Sequence, residues 1–517
     1  MTTTANYVGK VAADAHATAP LDFDLFYGGD SRTSGGERRM TISNPATGAV
    51  IGSVPDATEA DVRAATRAAQ DAVDRGDWTE ADALDRGRIL NQLADALADR
   101  ISYYASLESA VTGRPIREMQ AQMARLPEWF RYFAGIARGL EGGVAPFKGA
   151  YLSYTQHQPY GVVALITPWN HPLLIMVKKL SAALAAGNCV VVKPSDLAPI
   201  SALDFAAMAT EAGLPAGVLN VVTGTGEGAG AALCRAPEVA RIDLTGGTET
   251  GRRVGAIAAD RIVPVTLELG GKAPVLIFDG TPLEEAVNAA AFAAFVATGQ
   301  TCISGTRFLV AAPLYDDFVA AFAAKARSIR LGHPADPETD MGPLIARRQT
   351  KRVLDYIDIG LQDGARLVAG GGQPDVSPPL SNENFVEPTV FADVTPEMRI
   401  FQEEIFGPVA CVTPFADEAA AIRLANATSF GLGASVWTRD VGQAHRVAKA
   451  LKSGIVWIND HHKNDPAAVW GGFGASGHGK ENGWQALQDY LRTQSVVVRL
   501  SEEFPDWYGA SGPRRYG

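Results

Sequence analysis

Between Gly161 and Leu269, short apolar runs alternate with alanine-rich, helix-like stretches, and that alternation restricts the chain to an α/β architecture. GVVALIT, NCVVVKP, VLNVVTG, ARIDLTG and PVTLELG each read as a strand closed by a turn, with LLIMVKKLSAALAAG and ALDFAAMATEAG as helices between them. Strands apolar on both faces belong in a parallel sheet that helices cover. In such sheets ligands bind beyond the carboxyl ends of the strands. Here those ends carry Thr167 to Asn170, Lys193 to Asp196, Thr223 to Gly226, Thr245 to Gly247, and Glu268.

A second alternating region runs from Ala273 to about Ile458 and includes APVLIFD, TRFLVAAP, FVEPTVFAD and GASVWT, which reads as another α/β unit. Before the first unit, Asp61 to Arg138 repeats apolar residues at helix spacing, the pattern of amphipathic scaffold helices. Residues 1–40 end in YGGDSRTSGGERRM and read as a poorly ordered lead-in. Near the other end, SVVVRL alternates like a strand but has little nearby chain to pair with, so it is expected to add to another sheet, that of a second subunit included. A length of 517 residues fits two or three domains.

Charge and cysteine usage exclude several classes of function. With 46 basic and 57 acidic residues the net charge is −11, which repels phosphate backbones and makes nucleic acid an unfavourable partner. PYGVVALITPW, the most apolar stretch, is about half the roughly 20 residues a membrane span needs. Cys189, Cys234, Cys302 and Cys411 lie far apart without a CxxC pair, against a disulfide framework or a metal site, and the cytoplasm is the expected location.

Among these cysteines, Cys302 has the setting of a nucleophile. In GQTCISGTR it follows the alanine-rich AVNAAAFAAFVATG, and Gly299 and Gly305 leave room for close approach. For any single cysteine the commoner alternative is an inert buried thiol. Glu268 closes an apolar run in LELGGK, where a carboxylate is costly to bury, so it is either a base or a salt-bridged strand end. Asn170 in TPWNHP could donate to an oxyanion or simply form a turn. TGTGEGAG and LTGGTETG are glycine turns after strands that could hold a dinucleotide, although such turns are common in α/β proteins. Lys193 could donate to ribose hydroxyls, with Asp196 favouring a free 2′-hydroxyl.

Taken together, TPWNHP, VVVKPSD, LTGGTETG, LELGGK, GQTCISGTR, EEIFGP and GIVWIND resemble, in order and spacing, the aldehyde dehydrogenase superfamily, from about Ile42 to Leu500. The resemblance implies NAD-dependent oxidation of an aldehyde to a carboxylic acid, with Cys302 as nucleophile, Glu268 as general base, Asn170 as oxyanion donor and Lys179 in proton relay. It places cofactor contacts on Thr167, Trp169, Lys193, Asp196, Gly226, Gly246, Gly247, Gly251, Leu269, Gln349, Arg352, Glu404 and Phe406. It lines a substrate tunnel with His171, Lys178, Thr301, Ile303, Asn464 and Trp470.

The implied fold has a Rossmann-like cofactor domain (41–140 and 161–268), an α/β catalytic domain (269–470) and a strand arm for oligomerisation (141–160, with 484–517 as arm and tail). A homodimer or homotetramer is expected. Asp196 stands where a glutamate is usual in strongly NAD-selective members, which leaves NADP use open. Lys178 replaces a frequent tryptophan and, as a like charge beside the tunnel, disfavours cationic substrates. Aromatic aldehydes, polar semialdehydes and aminoaldehydes remain as candidates. A CoA-acylating relative as a rule lacks the glutamate of LELGGK, and a non-catalytic relative would be free to lose Cys302 or Glu268; both residues are present.

Overall fold

A computed structural model describes residues 21–502, together with 506 and 508. Its largest sheet has eight strands, in the order Gly477–His478, Val265–Glu268, Val239–Thr245, Val162–Ile166, Cys189–Lys193, Leu219–Val221, Leu25–Tyr27 and Asp30–Arg32. The five central strands are parallel, matching the five apolar runs, and the two pairings at the edges of that block are antiparallel. Every residue of Val162–Ile166 and Cys189–Lys193 is buried, as expected for strands covered by helices on both faces.

Val162–Ile166 begins this parallel block and lies inside it. The chain builds outward on one side through Cys189–Lys193 and Leu219–Val221, then crosses back to the other side at Val239–Thr245. The reversal opens a crevice at the carboxyl ends of Val162–Ile166 and Val239–Thr245, the place where doubly wound sheets bind ligands. Thr167 to Asn170 and Thr245 to Gly247 lie there.

Helices Glu59–Arg75, Ala83–Ala98, Ile101–Thr112, Ile116–Met123 and Pro127–Ala137 form the scaffold. The first is delimited by local chemistry. A capping box between Thr58 and Asp61 starts it, and Gly76 ends it in the left-handed conformation (φ 77°). Pro172–Ala185 is different, because nearly all its side chains are buried, the adjacent Lys178 and Lys179 included.

The second α/β unit is a seven-stranded sheet in the order Arg366–Ala369, Thr389–Ala392, Val409–Phe415, Gly305–Ala311, Ala273–Ile277, Gly433–Trp437 and Ile455–Ile458. All neighbours are parallel except the first pair.

One expectation needs correction. Residues 21–40 are not a loose lead-in: Leu25–Tyr27 pairs with Leu219–Val221, and Phe23, Leu25 and Phe26 are buried. The glycine- and charge-rich average of that stretch conceals the apolar LDFDLFY, whose burial outweighs the local flexibility; residues 1–20 lie outside the described residues. SVVVRL adds to another sheet as expected, joining the 141–160 arm of the same chain. Leu491–Arg499 pairs antiparallel with Tyr151–Pro159 along the whole strand, and Val144–Ala145 adds a third strand. A long-range contact of this kind has no signal in nearby sequence.

Candidate active site

Cys302 lies in the loop between helix Leu283–Phe295 and strand Gly305–Ala311. The loop is conformationally unusual: Ala297, Thr298 and Gly299 are all left-handed, with φ of 54°, 56° and 67°. Non-glycine residues adopt that region only at a cost of order 1–3 kcal/mol each, so surrounding contacts must hold it. Glu118 accepts from the Ala297 N–H (3.2 Å), and the Thr298 hydroxyl donates to the Gly342 carbonyl (3.1 Å). Beyond the thiol, His461 Nε2 lies 2.8 Å from the Ile303 carbonyl oxygen, and burial pushes that imidazole down to about 4. It is therefore neutral and donates from Nε2.

The Asn170 side chain donates from Nδ2 to the Gln300 carbonyl at 2.8 Å, two residues before Cys302. A carboxamide has two N–H donors, so the other remains for a ligand. Gly271 packs so closely that an added Cβ would sit 2.1 Å from the Cys302 carbonyl oxygen. Cys302 itself is partly exposed. Burial of its surroundings, and then the nearby Glu268, push the thiol up to about 12, while Lys178 opposes the shift.

Glu268 ends the strand Val265–Glu268 and is buried, yet neither carboxylate oxygen has a hydrogen-bond partner. Desolvation and the like charge of Glu481 hold it well above the usual carboxylate range, against the pull of Lys179 and Lys178. A buried acid without donors stays neutral until something enters to exchange its proton.

Beside it lies a buried charge cluster. Glu481 receives Lys178 Nζ on Oε2 at 2.7 Å and Lys179 on Oε1; Lys179 also reaches Asp243, which accepts from the Tyr490 hydroxyl at 2.5 Å. The ammonium of Lys178 also sits 4.3 Å from the centre of the Trp470 ring. The expected repulsion by Lys178 therefore needs revision, since Glu481 matches its charge at contact distance.

Cys302 and Glu268 open on one cavity of about 550 Å³. All six residues of the expected tunnel (His171, Lys178, Thr301, Ile303, Asn464 and Trp470) line it. So do Arg114, Glu118, Gln122, Arg125, His462 and Glu481, which sequence reasoning missed. Glu481 follows GGFGASGHGK, a stretch without a sequence reading, and the polar residues of the scaffold helices looked like solvated faces.

The aldehyde dehydrogenase family model matches residues 32–496. The chain belongs to the aldehyde dehydrogenase family. It is 39% identical over 491 residues to betaine aldehyde dehydrogenase 1 of Oryza sativa subsp. japonica, covering 94% of this chain and 97% of that one. It is 38% identical over 484 residues to the (Z)-2-((N-methylformamido)methylene)-5-hydroxybutyrolactone dehydrogenase of Acinetobacter baylyi, covering 93% and 98%. A crystal structure of betaine aldehyde dehydrogenase from Staphylococcus aureus in complex with NAD+ superimposes with a TM-score of 0.93 at 36% identity, covering 95% of this chain and 97% of that one. The protein is an oxidoreductase with the aldehyde dehydrogenase fold.

The remaining sequence-predicted residues of this aldehyde dehydrogenase lie around the switch-point crevice or on the loop facing it. Thr167 is buried with an unpartnered hydroxyl. Lys193 Nζ is buried and donates to the carbonyls of Pro194 (2.7 Å) and Gly224 (2.8 Å); burial pulls the ammonium down to about 8. Asp196 accepts from Ser195 and lies 3.9 Å from Arg348. At Gly226 and Gly247 a Cβ would meet nothing within 4 Å, whereas Gly246 lies over Leu244 and Gly251 is filled by Leu269, 2.5 Å from an added Cβ.

Opposite, Glu404 accepts the Gly271 N–H at 2.8 Å, and Phe406 (φ 63°) meets Trp169 edge to face at 5.3 Å. Gln349 donates to the Phe406 carbonyl (2.7 Å), and Arg352 to those of Ile405 (3.2 Å) and Glu404 (2.5 Å). Gln349 and Arg352 thus hold the Glu404–Phe406 loop by its backbone.

Proposed function

We propose that this enzyme oxidises an aldehyde to a carboxylic acid with NAD, through a covalent adduct on Cys302. The observation that carries the reading is a buried, hydrogen-bond-free Glu268 on the same cavity as Cys302, a placement suited to proton transfer. Residues of the crevice fit a dinucleotide: the free Thr167 hydroxyl, the buried Lys193 ammonium and open space over Gly226 and Gly247. NAD, when bound, supplies the hydride acceptor.

The Cys302 thiol gives its proton to the ionised Glu268 carboxylate as the sulfur attacks the carbonyl carbon, and Asn170 donates its free N–H to the oxyanion. Glu268 acts as base in its ionised form, reached when water or ligand entering the cavity exchanges its proton. Once the adduct is oxidised to a thioester, the carboxylate takes a proton from the attacking water and the C–S bond breaks, releasing the carboxylic acid and the Cys302 sulfur. Lys178, Lys179 and Glu481 set the charge that Glu268 feels. Asp196 lies within 3.9 Å of the Arg348 guanidinium, a setting that tolerates NADP as well.

We assign 41–140 and 161–268 to cofactor binding, 269–470 to catalysis, and the three-stranded arm to assembly of a homodimer or homotetramer. All four cysteines are free, in keeping with the cytoplasm, and among the described residues no helix is long and apolar enough to cross a membrane. Betaine aldehyde, which gives two of these relatives their names, suits this cavity poorly because Lys178 already covers the Trp470 ring that would attract a quaternary ammonium.

Cys302→Ala should abolish NADH formation across an aldehyde panel, and Glu268→Gln should trap an acyl-enzyme visible by intact mass. Turnover by the folded Cys302→Ala enzyme would refute the assignment.

A further inference from the structure

The charges lining the cavity can be paired off one by one. Arg114 meets Glu118 at 3.2 Å, Arg117 meets Asp340 at 2.8 Å, and Lys178 meets Glu481 at 2.7 Å. Glu268 is held neutral, and burial keeps His171 and His462 deprotonated, the latter at about 3.

Among the described residues that line the cavity, one cation is left over. Arg125, at the junction of helices Ile116–Met123 and Pro127–Ala137, lines the same cavity as Cys302, and among the described residues no carboxylate lies within ion-pair distance of it. Its guanidinium donates to the Asn464 carbonyl. The acid beside that carbonyl, Asp465, accepts from the Ala467 N–H at 2.9 Å. A guanidinium has five N–H donors in a fixed fork suited to a carboxylate, and the Asn464 carbonyl fixes the orientation of this one.

Resting on the reading of this cavity as the aldehyde site, we propose that Arg125 is a specificity-determining residue that binds a carboxylate at the far end of the substrate. The preferred substrates are then ω-oxo carboxylates, bound with the aldehyde at Cys302 and the acid at Arg125. Neutral aldehydes of the same length leave the Arg125 charge unmatched, and cationic aldehydes oppose it. The product is an α,ω-dicarboxylate, so the supplying reaction is one that generates an aldehyde on a chain already carrying an acid, such as transamination of an ω-amino acid or cleavage of a ring bearing a carboxylate.

The test compares a four- to six-carbon ω-oxo carboxylate with the unbranched alkanal of equal carbon number, in wild type, Arg125→Met and Arg125→Lys. The quantity read is the ratio of the two kcat/KM values. Wild type should favour the oxo acid; Arg125→Met should lower the ratio about 100-fold, carried by KM, which is about 2.7 kcal/mol at 1.36 kcal/mol per tenfold. Arg125→Lys should retain part of the preference because the charge remains.

A second measurement needs no turnover. Calorimetry on Cys302→Ala should detect binding of the matching dicarboxylate, and adding Arg125→Met should remove it. A wild-type ratio near one, a ratio unchanged in Arg125→Met, or equal dicarboxylate binding with and without Arg125 overturns the proposal. Failure of wild type to form NADH from either aldehyde would instead count against the reading of the cavity, and calorimetry would still decide the role of Arg125.

Discussion

Replacing Glu481 by glutamine should change the protonation of Glu268 and weaken the fold at the same time. In the native cluster two ammonium groups, Lys178 and Lys179, face two carboxylates, Glu481 and Asp243, so the charge beside Glu268 is balanced. Glu481→Gln removes a like charge from the neighbourhood of Glu268 and leaves one positive charge in excess. Both changes favour the ionised carboxylate. An opposite charge within about 4–6 Å lowers a carboxyl pKa by about 1–3 units, so the acid limb of thioester hydrolysis should move down by at least about one unit. The assay is decay of the acyl-enzyme, followed by rapid quench and intact mass over the acid-to-neutral range.

Removing one partner of a buried ion pair costs about 3–5 kcal/mol, which urea unfolding would detect. The two lysines and surrounding groups hold the Glu481 carboxyl down at about 2, from an ordinary value of 4.5. Its contribution to stability is fully present above that ordinary value and is lost as pH falls through about 2. The stability difference between wild type and Glu481→Gln should therefore shrink on acidification. An acid limb that stays in place or moves up, or a stability difference indifferent to pH, would refute the reasoning.

Two further outcomes follow from the backbone around Cys302. Asn170→Ala removes the donor we propose for the oxyanion and should lower kcat by about 10²–10³, or about 3–4 kcal/mol, in steady-state NADH assays; a loss below tenfold would dismiss the role. Gly271→Ala places a methyl 2.1 Å from the Cys302 carbonyl oxygen, so the thiol must shift. A misplacement of about 1 Å costs on the order of 100-fold, and the burst of NADH should fall accordingly while NAD binding, read by fluorescence, persists.

What the sequence could determine was local. Five apolar runs specified five parallel strands because burial on both faces leaves no polar alternation, and the motifs around Glu268 and Cys302 marked a strand end and a loop that open on one cavity. Tertiary structure decided which charges meet. Glu481 lies 302 residues from Lys179 and takes its place beside Glu268 only because Gly477–His478 returns to pair with Val265–Glu268. Lys178, read in sequence as a bare positive charge, is neutralised by that same return. Arg125 sits in a helical region whose polar residues resemble any solvated face, and its lack of a carboxylate partner among the described residues emerges only when every neighbouring charge there has been placed. Electrostatic energy depends on distance through space and on burial, and neither quantity is written along the chain.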